Sequence, residues 1–184
     1  MKNDLQHLEL LQTVLDKLAL CGVPLENMEI AGGAVRDMLL EKPIKDIDVF
    51  FEGKFDEELI KKHFIVLKKE PDEEEWYREF ENKTTKEETW VVDYQRLSLE
   101  GCEYPIQLIR TKEICAQIKT FGCNLSKVAY GSGGLFLSNE FLTDQYLKIL
   151  TFTDTCTENY SKRMQNKFPE YAVNGEQNKN WNDF

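Results

Sequence analysis

Ile30-Ala-Gly-Gly-Ala-Val-Arg-Asp-Met-Leu-Leu40 and, shortly after it, Lys45-Asp-Ile-Asp-Val-Phe50 decide how this chain is read. The first stretch begins as a strand, Met28 to Ala31, and breaks at Gly32-Gly33. It continues as a helix from Ala34 to Leu40 that Pro43 stops. The second stretch alternates from Asp46 to Phe51 and is apolar enough for a buried strand. Residues i and i+2 of a strand share a face, so Asp46 and Asp48 project together while Ile47 and Val49 point to the opposite, buried side. Two neighbouring carboxylates repel each other and call for a cation between them. Mg²⁺ suits such a pair, because it takes oxygen ligands and is shared between carboxylates and substrate phosphates, with Mn²⁺ as a substitute.

Glycine lets the backbone turn sharply and lets a ligand approach the main chain. The helix after Gly32-Gly33 offers free N–H groups at its start, where phosphate binds. Gly32, Gly33 and Arg36 are therefore the expected phosphate contacts, with Asp37 orienting Arg36 or holding the turn. The metals would bridge the α-phosphate and the attacking hydroxyl of an in-line displacement. A lone Gly-Gly is usually a turn and a lone Asp-x-Asp usually a solvated strand end. Their order and spacing together are what make the signal specific.

Working outward, leucines at 5, 8, 11, 15 and 18 form one helical stripe from Asp4 to Leu20. Asp56 caps a helix from Glu57 to His63, and Phe64 to Leu67 reads as a strand. Residues 68–89 form a charged surface loop. Trp90 to Leu99 and Tyr104 to Arg110 read as an antiparallel pair, and Lys112 to Thr120 as a helix. Leu125 to Tyr130 and Leu135 to Leu137 read as short strands, and Asp144 to Phe152 as helix or strand. Thr157 to Phe168 reads as a last helix, carrying Lys162, Arg163 and Lys167. The expectation is an α/β (α+β) domain over residues 1–170, a mixed β-sheet with helices packed mainly on one side, followed by a polar, flexible tail over 171–184.

At 184 residues the chain suits one domain with a real core. Its net charge of −10 argues against high, nonspecific nucleic-acid affinity, although a metal can still recruit a triphosphate. With 2 histidines, a Ser-His-Asp triad or a histidine-rich zinc site is disfavoured. The 5 cysteines are scattered and read as unpaired thiols of a cytosolic protein. No apolar run is long enough to span a membrane, and the start is amphipathic rather than a signal segment.

Gly32-Gly33-Ala-Val-Arg36-Asp37-Met-Leu-Leu followed by Asp46-Ile-Asp48 resembles the head-domain signature of CCA-adding enzymes and bacterial poly(A) polymerases, within the DNA polymerase β nucleotidyltransferase superfamily. Tyr104-Pro-Ile-Gln-Leu-Ile-Arg110 resembles that family's later central strand, which ends in a basic residue. Leu125-Ser-Lys-Val-Ala-Tyr130 with Gly133-Gly134-Leu135 resembles a further strand and its Gly-Gly-Leu turn. The resemblance implies a nucleotidyltransferase fold, two Mg²⁺ ions at Asp46 and Asp48, and transfer of a nucleoside monophosphate from an NTP (ATP or CTP) with release of pyrophosphate. It implies Gly32, Gly33, Arg36 and Arg110 as nucleotide contacts. Three features depart from the pattern. Where the superfamily often supplies a third carboxylate the strand offers Gln107, with Asp93 and Glu103 as substitutes. Phe121-Gly122-Cys123-Asn124 replaces an Arg-Asp, and the Glu-Asp-x-x-Arg base-reading pattern has no counterpart.

The leading reading is transfer to an RNA 3′ end, that of tRNA first, with Lys162, Arg163 and Lys167 guiding the RNA backbone. A second keeps the chemistry and changes the acceptor to a protein or small molecule. A third is a nucleotide- or RNA-binding module with a decayed site. A chain this small would suit a phage genome and action in the host cytoplasm.

Overall fold

The computed structural model describes residues 2–68 and 91–174, so the charged loop expected at 68–89 lies almost wholly outside the described residues. Helix α1, Lys2–Ala19, comes first. A 3₁₀ turn, Leu25–Asn27, leads into β1, Met28–Ala31. Then follow α2, Gly33–Leu39, and β2, Ile47–Phe51. Helix α3, Glu57–His63, precedes β3, Ile65–Leu67. Strands β4, Val91–Ser98, and β5, Ile106–Thr111, lead to α4, Ile114–Lys119. Strands β6, Val128–Gly131, and β7, Gly134–Leu137, lead to α5, Asn139–Leu147. Strand β8, Ile149–Leu150, helix α6, Glu158–Lys167, and β9, Ala172–Val173, complete the described elements.

Seven strands form one sheet in the order β3-β4-β5-β2-β1-β6-β7. The central pair β2–β5 is parallel and the others are antiparallel, which makes the sheet mixed as expected. The leucine stripe of α1 is core, since Leu11, Leu15 and Leu18 are fully buried. Asp56 caps α3 as expected, its Oδ1 accepting from the backbone N–H of Glu58 at 2.9 Å and of Leu59 at 3.2 Å.

The two faces of the sheet are covered unequally. Ile30, Ile47, Val49 and Leu108 pack with Leu11 and Leu15 of α1, Val35 of α2, Ile60 of α3 and Met164 of α6. On the other face a smaller cluster joins Ala31, Phe50, Ile109 and Ala129 to Ile114 and Ile118 of α4, with Phe121 against it. Each fully buried Ile or Leu contributes roughly 1.5–3 kcal/mol, so the first face carries most of the apolar stabilisation.

Three local expectations change. Leu125 to Tyr130 is not one strand: Asn124–Ser126 is a 3₁₀ turn, closed by Ser126 N–H to Cys123 O at 2.9 Å and Lys127 N–H to Asn124 O at 3.0 Å. Asp144 to Phe152 divides at Lys148, which is left-handed at φ 54°, into the end of α5 and β8. The tail expected from 171 is ordered over its first residues, because Tyr171 is buried and Ala172–Val173 pairs in parallel with β8. Its remainder, 175–184, lies outside the described residues. Among the described residues no helix is long and apolar enough to cross a membrane, and all 5 cysteines are free thiols. Burial pushes the Cys123 thiol up to about 11, which keeps it protonated and unreactive.

Candidate active site

Strand β2 begins at Ile47, whose N–H donates to Pro105 O at 2.9 Å, so Asp46 sits just ahead of the strand. Asp48 is in parallel register with Gln107 of β5. The Gln107 amide Nε2 lies 3.5 Å from Asp46 Oδ2, and Lys45 Nζ lies 4.0 Å from the same oxygen. Both aspartates are half-buried. The structure thus brings Asp46, Asp48 and Gln107 to one place, at the margin of the small cluster under α4. Continuing the β1–β2 register by one residue sets Ala31 opposite Asp48, which brings the Gly32-Gly33 turn alongside the start of β2.

The two glycines play different parts. Gly32 is buried at φ 76°, its N–H donates to Val128 O at 3.0 Å, and a Cβ there would lie 3.3 Å from the Phe121 ring. Its N–H is therefore engaged within the fold. Gly33 is half-exposed and opens α2, so it is the glycine that a ligand can approach.

Arg36, expected at the triphosphate, points the other way. It is 6% exposed. Its Nε donates to Asp37 Oδ1 at 2.8 Å and Nη2 lies 2.8 Å from the same oxygen. Its Nη1 donates to Ser126 Oγ at 2.8 Å and lies 3.3 Å from Met164 Sδ. The guanidinium carbon sits 5.4 Å from the centre of the Phe168 ring. A guanidinium satisfied this fully by buried partners acts as a structural anchor. The alternative role foreseen for Asp37, orienting Arg36, is the one found.

Arg110 is also placed away from the aspartates. It pairs with Phe51, three residues beyond Gln107, and so falls on the opposite side of the pleat. There it borders a cavity of about 280 Å³ with Phe51, Lys54, Phe55 and Gln95. The three cations expected to guide RNA have partners inside the chain. Lys162 pairs with Glu158 at 2.6 Å, and Arg163 stacks over Tyr160 at 5.0 Å. Lys167 bonds Asp37 and donates to Pro43 O at 3.2 Å.

The substitutes for a third carboxylate stand elsewhere. Glu103 is exposed and accepts from the Tyr104 hydroxyl, which pushes the Tyr104 pKa up. Asp93 is in register with Arg110 rather than with Gln107. Among the described residues no group of three or more His, Cys, Asp or Glu side chains is placed to hold a metal. The donor set at Asp46, Asp48 and Gln107 is two carboxylates and an amide, which fits one hard cation that completes its shell with phosphate oxygens and water. Sequence reading missed Ser126, Tyr160 and Phe121.

Among solved structures, an apo CCA-adding enzyme matches at a TM-score of 0.59 and 14% identity, over 93% of this chain and 40% of that one. A CCA-adding enzyme complexed with CTP matches at 0.56 and 15%, over 90% and 40%. The Thermotoga maritima CCA-adding enzyme complexed with tRNA matches at 0.55 and 15%, over 83% and 36%. The likeness establishes a nucleotidyltransferase fold, and this chain spans about two fifths of the length of those proteins. No curated protein matches the chain in sequence. A family model described as Gabija anti-defense 2 family protein matches residues 3–148.

Proposed function

The chain belongs to the Gabija anti-defense 2 family, and from that premise we propose that it is a metal-dependent nucleotidyltransferase that counters Gabija defence by placing a nucleoside monophosphate on a hydroxyl of a Gabija protein. The observation that carries the chemistry is the pair Asp46 and Asp48, half-buried beside Gln107 where the central strands β2 and β5 begin. Asp46 and Asp48 would hold Mg²⁺, which supplies charge neutralisation for the triphosphate. Gly33, at the start of α2, leaves the main chain open to the phosphates. The acceptor oxygen forms a bond to the α-phosphorus. The bond from that phosphorus to the bridging oxygen breaks, pyrophosphate leaves, and the hydroxyl proton passes to solvent. ATP and CTP are the first donors to test.

A protein acceptor is favoured over RNA because Lys167 is held by Asp37 and Pro43 within the chain, and the net charge of −10 repels a phosphate backbone. The second reading, transfer to a tRNA 3′ end, rests on the likeness to CCA-adding enzymes. One assay separates them. The protein is incubated with each α-labelled NTP, Mg²⁺ or Mn²⁺, purified Gabija proteins, and tRNA lacking its 3′ end. Label on a Gabija protein is expected. Label on tRNA selects the second reading, and no transfer to either acceptor with any NTP removes both. Asp48→Ala is expected to reduce transfer by at least about 100-fold while thermal stability holds.

A further inference from the structure

The buried charged pair Arg36 and Asp37, which the proposed chemistry leaves unused, joins α2 to α6. Asp37, 3% exposed, receives Arg36 on one oxygen and Lys167 on the other. Arg36 reaches on to Ser126, whose hydroxyl shares a 2.7 Å hydrogen bond with the Tyr160 hydroxyl of α6. Met164 and Phe168 close over the guanidinium at 3.3 Å and 5.4 Å. Lys167 also holds Pro43 O at 3.2 Å, beyond the end of α2, while Lys42 pairs with Glu170 at 2.9 Å. At the other end of α2, Arg36 Nη2 lies 3.8 Å from where a Cβ on Gly33 would stand. One connected set of contacts therefore runs from α6 to Arg36, three residues from the half-exposed glycine of the site.

Helix α2 has 7 residues, too few to hold an orientation by itself. Its direction, and with it the direction of the Gly33 main chain, comes from what its buried side chains grip. We propose that Lys167 is a positioning residue for the Gly32-Gly33 turn, acting through Asp37 and Arg36, so that α6 is the strut of the phosphate-facing turn. Lys167 lies outside residues 3–148 matched by the family model, yet it grips the helix within that match. The assignment of phosphate to this turn rests on the function proposed above. The strut does not, and the two are tested by different readouts.

Hydrogen exchange tests the strut. In Lys167→Met the aliphatic stem is kept and the ion pair removed. Amides from Gly32 to Asp37 are expected to exchange about tenfold faster, with β1, β2 and β5 unchanged, and Lys167→Arg is expected to restore them. Tyr160→Phe, which deletes only the hydroxyl on Ser126, is expected to give a smaller rise, about threefold, and keeps the test available should Lys167→Met not fold. Unchanged α2 exchange in these variants, or a rise shared equally by every segment, overturns the strut. In the enzyme assay Lys167→Met is expected to raise KM for the NTP about tenfold with kcat within about twofold. Wild-type protein that transfers nothing would remove the functional reading, while the exchange result would still decide the strut.

Discussion

On one face of the sheet, Ile47 and Val49 are sealed beneath α1, α2, α3 and α6, with no surface left to water. On the other, α4 covers Phe50 and Ile109, but Asp48 and Gln107, next along the same strands, stay half-exposed. Neighbouring residues of β2 thus serve opposite ends. Those pointing one way supply apolar burial, and those pointing the other present two carboxylates that repel each other when no cation is near. The lesson is that this strand is held by one face so that the other can carry unfavourable charge. Glycine at 32 and 33 repeats the division on a smaller scale, one residue buried and hydrogen-bonded, the next half-open.

The sharpest test of the division is a pair of adjacent truncations. Ile47→Ala removes a fully buried side chain from the larger core and is expected to cost about 2–5 kcal/mol in urea unfolding. Asp48→Ala, one residue on, is expected to change stability by less than about 1 kcal/mol, because a half-exposed side chain gives up little burial. A cheap Ile47→Ala, or an Asp48→Ala as costly as it, would erase the contrast.

Much of this arrangement was legible from the sequence, and the limits have a physical cause. The strand, Gly-Gly turn, helix and second strand between Met28 and Phe51 follow from local periodicity and turn chemistry, and they fold as read. The facing of Asp48 follows from the two-residue period of a strand. Arg36 was misplaced because an arginine after a Gly-Gly turn suits either a phosphate or a buried carboxylate. The choice was made by Ser126 and Met164, which lie 90 and 128 residues further along the chain. Arg110 was misplaced for a related reason: its side of the pleat is set by the parallel register of β5 on β2, a long-range pairing. Ser126 fell inside an apolar alternation that reads as strand, but the backbone spends those residues on a 3₁₀ turn. Pattern therefore located the carboxylates, and tertiary pairing decided which cations could reach them.

The two glycines give the next test, smaller in effect. Gly32→Ala places a Cβ at φ 76°, where side chains are strained, and 3.3 Å from the Phe121 ring, so a cost of about 1–3 kcal/mol is expected. Gly33→Ala meets only Arg36 Nη2, at an ordinary 3.8 Å, and thermal unfolding is expected to show a change within about 0.5 kcal/mol. Equal stability costs at both positions would mean that the turn does not divide into a buried and an open half.

The smallest effect comes from Glu29, on the α4 face of β1 opposite Phe50 and Gly131. Its side chain fills the space above Gly131, where a Cβ would stand 3.0 Å from Glu29 Cγ. Burial pushes the Glu29 pKa up, and the nearby Glu52 carboxylate pushes it further. A raised acid holds its proton longer in the folded state than in the unfolded chain. Stability is therefore fullest below the ordinary glutamate range and falls as pH rises through the folded value. Glu29→Gln keeps the shape and removes the titration, so its melting temperature should match wild type in acid and exceed it at neutral pH. Because Glu29 is only half-buried, solvent screening holds the gain below about 1 kcal/mol. Melting curves from acid to neutral pH read this directly, and parallel curves for the two proteins would show that the α4 face carries no charge penalty at this end.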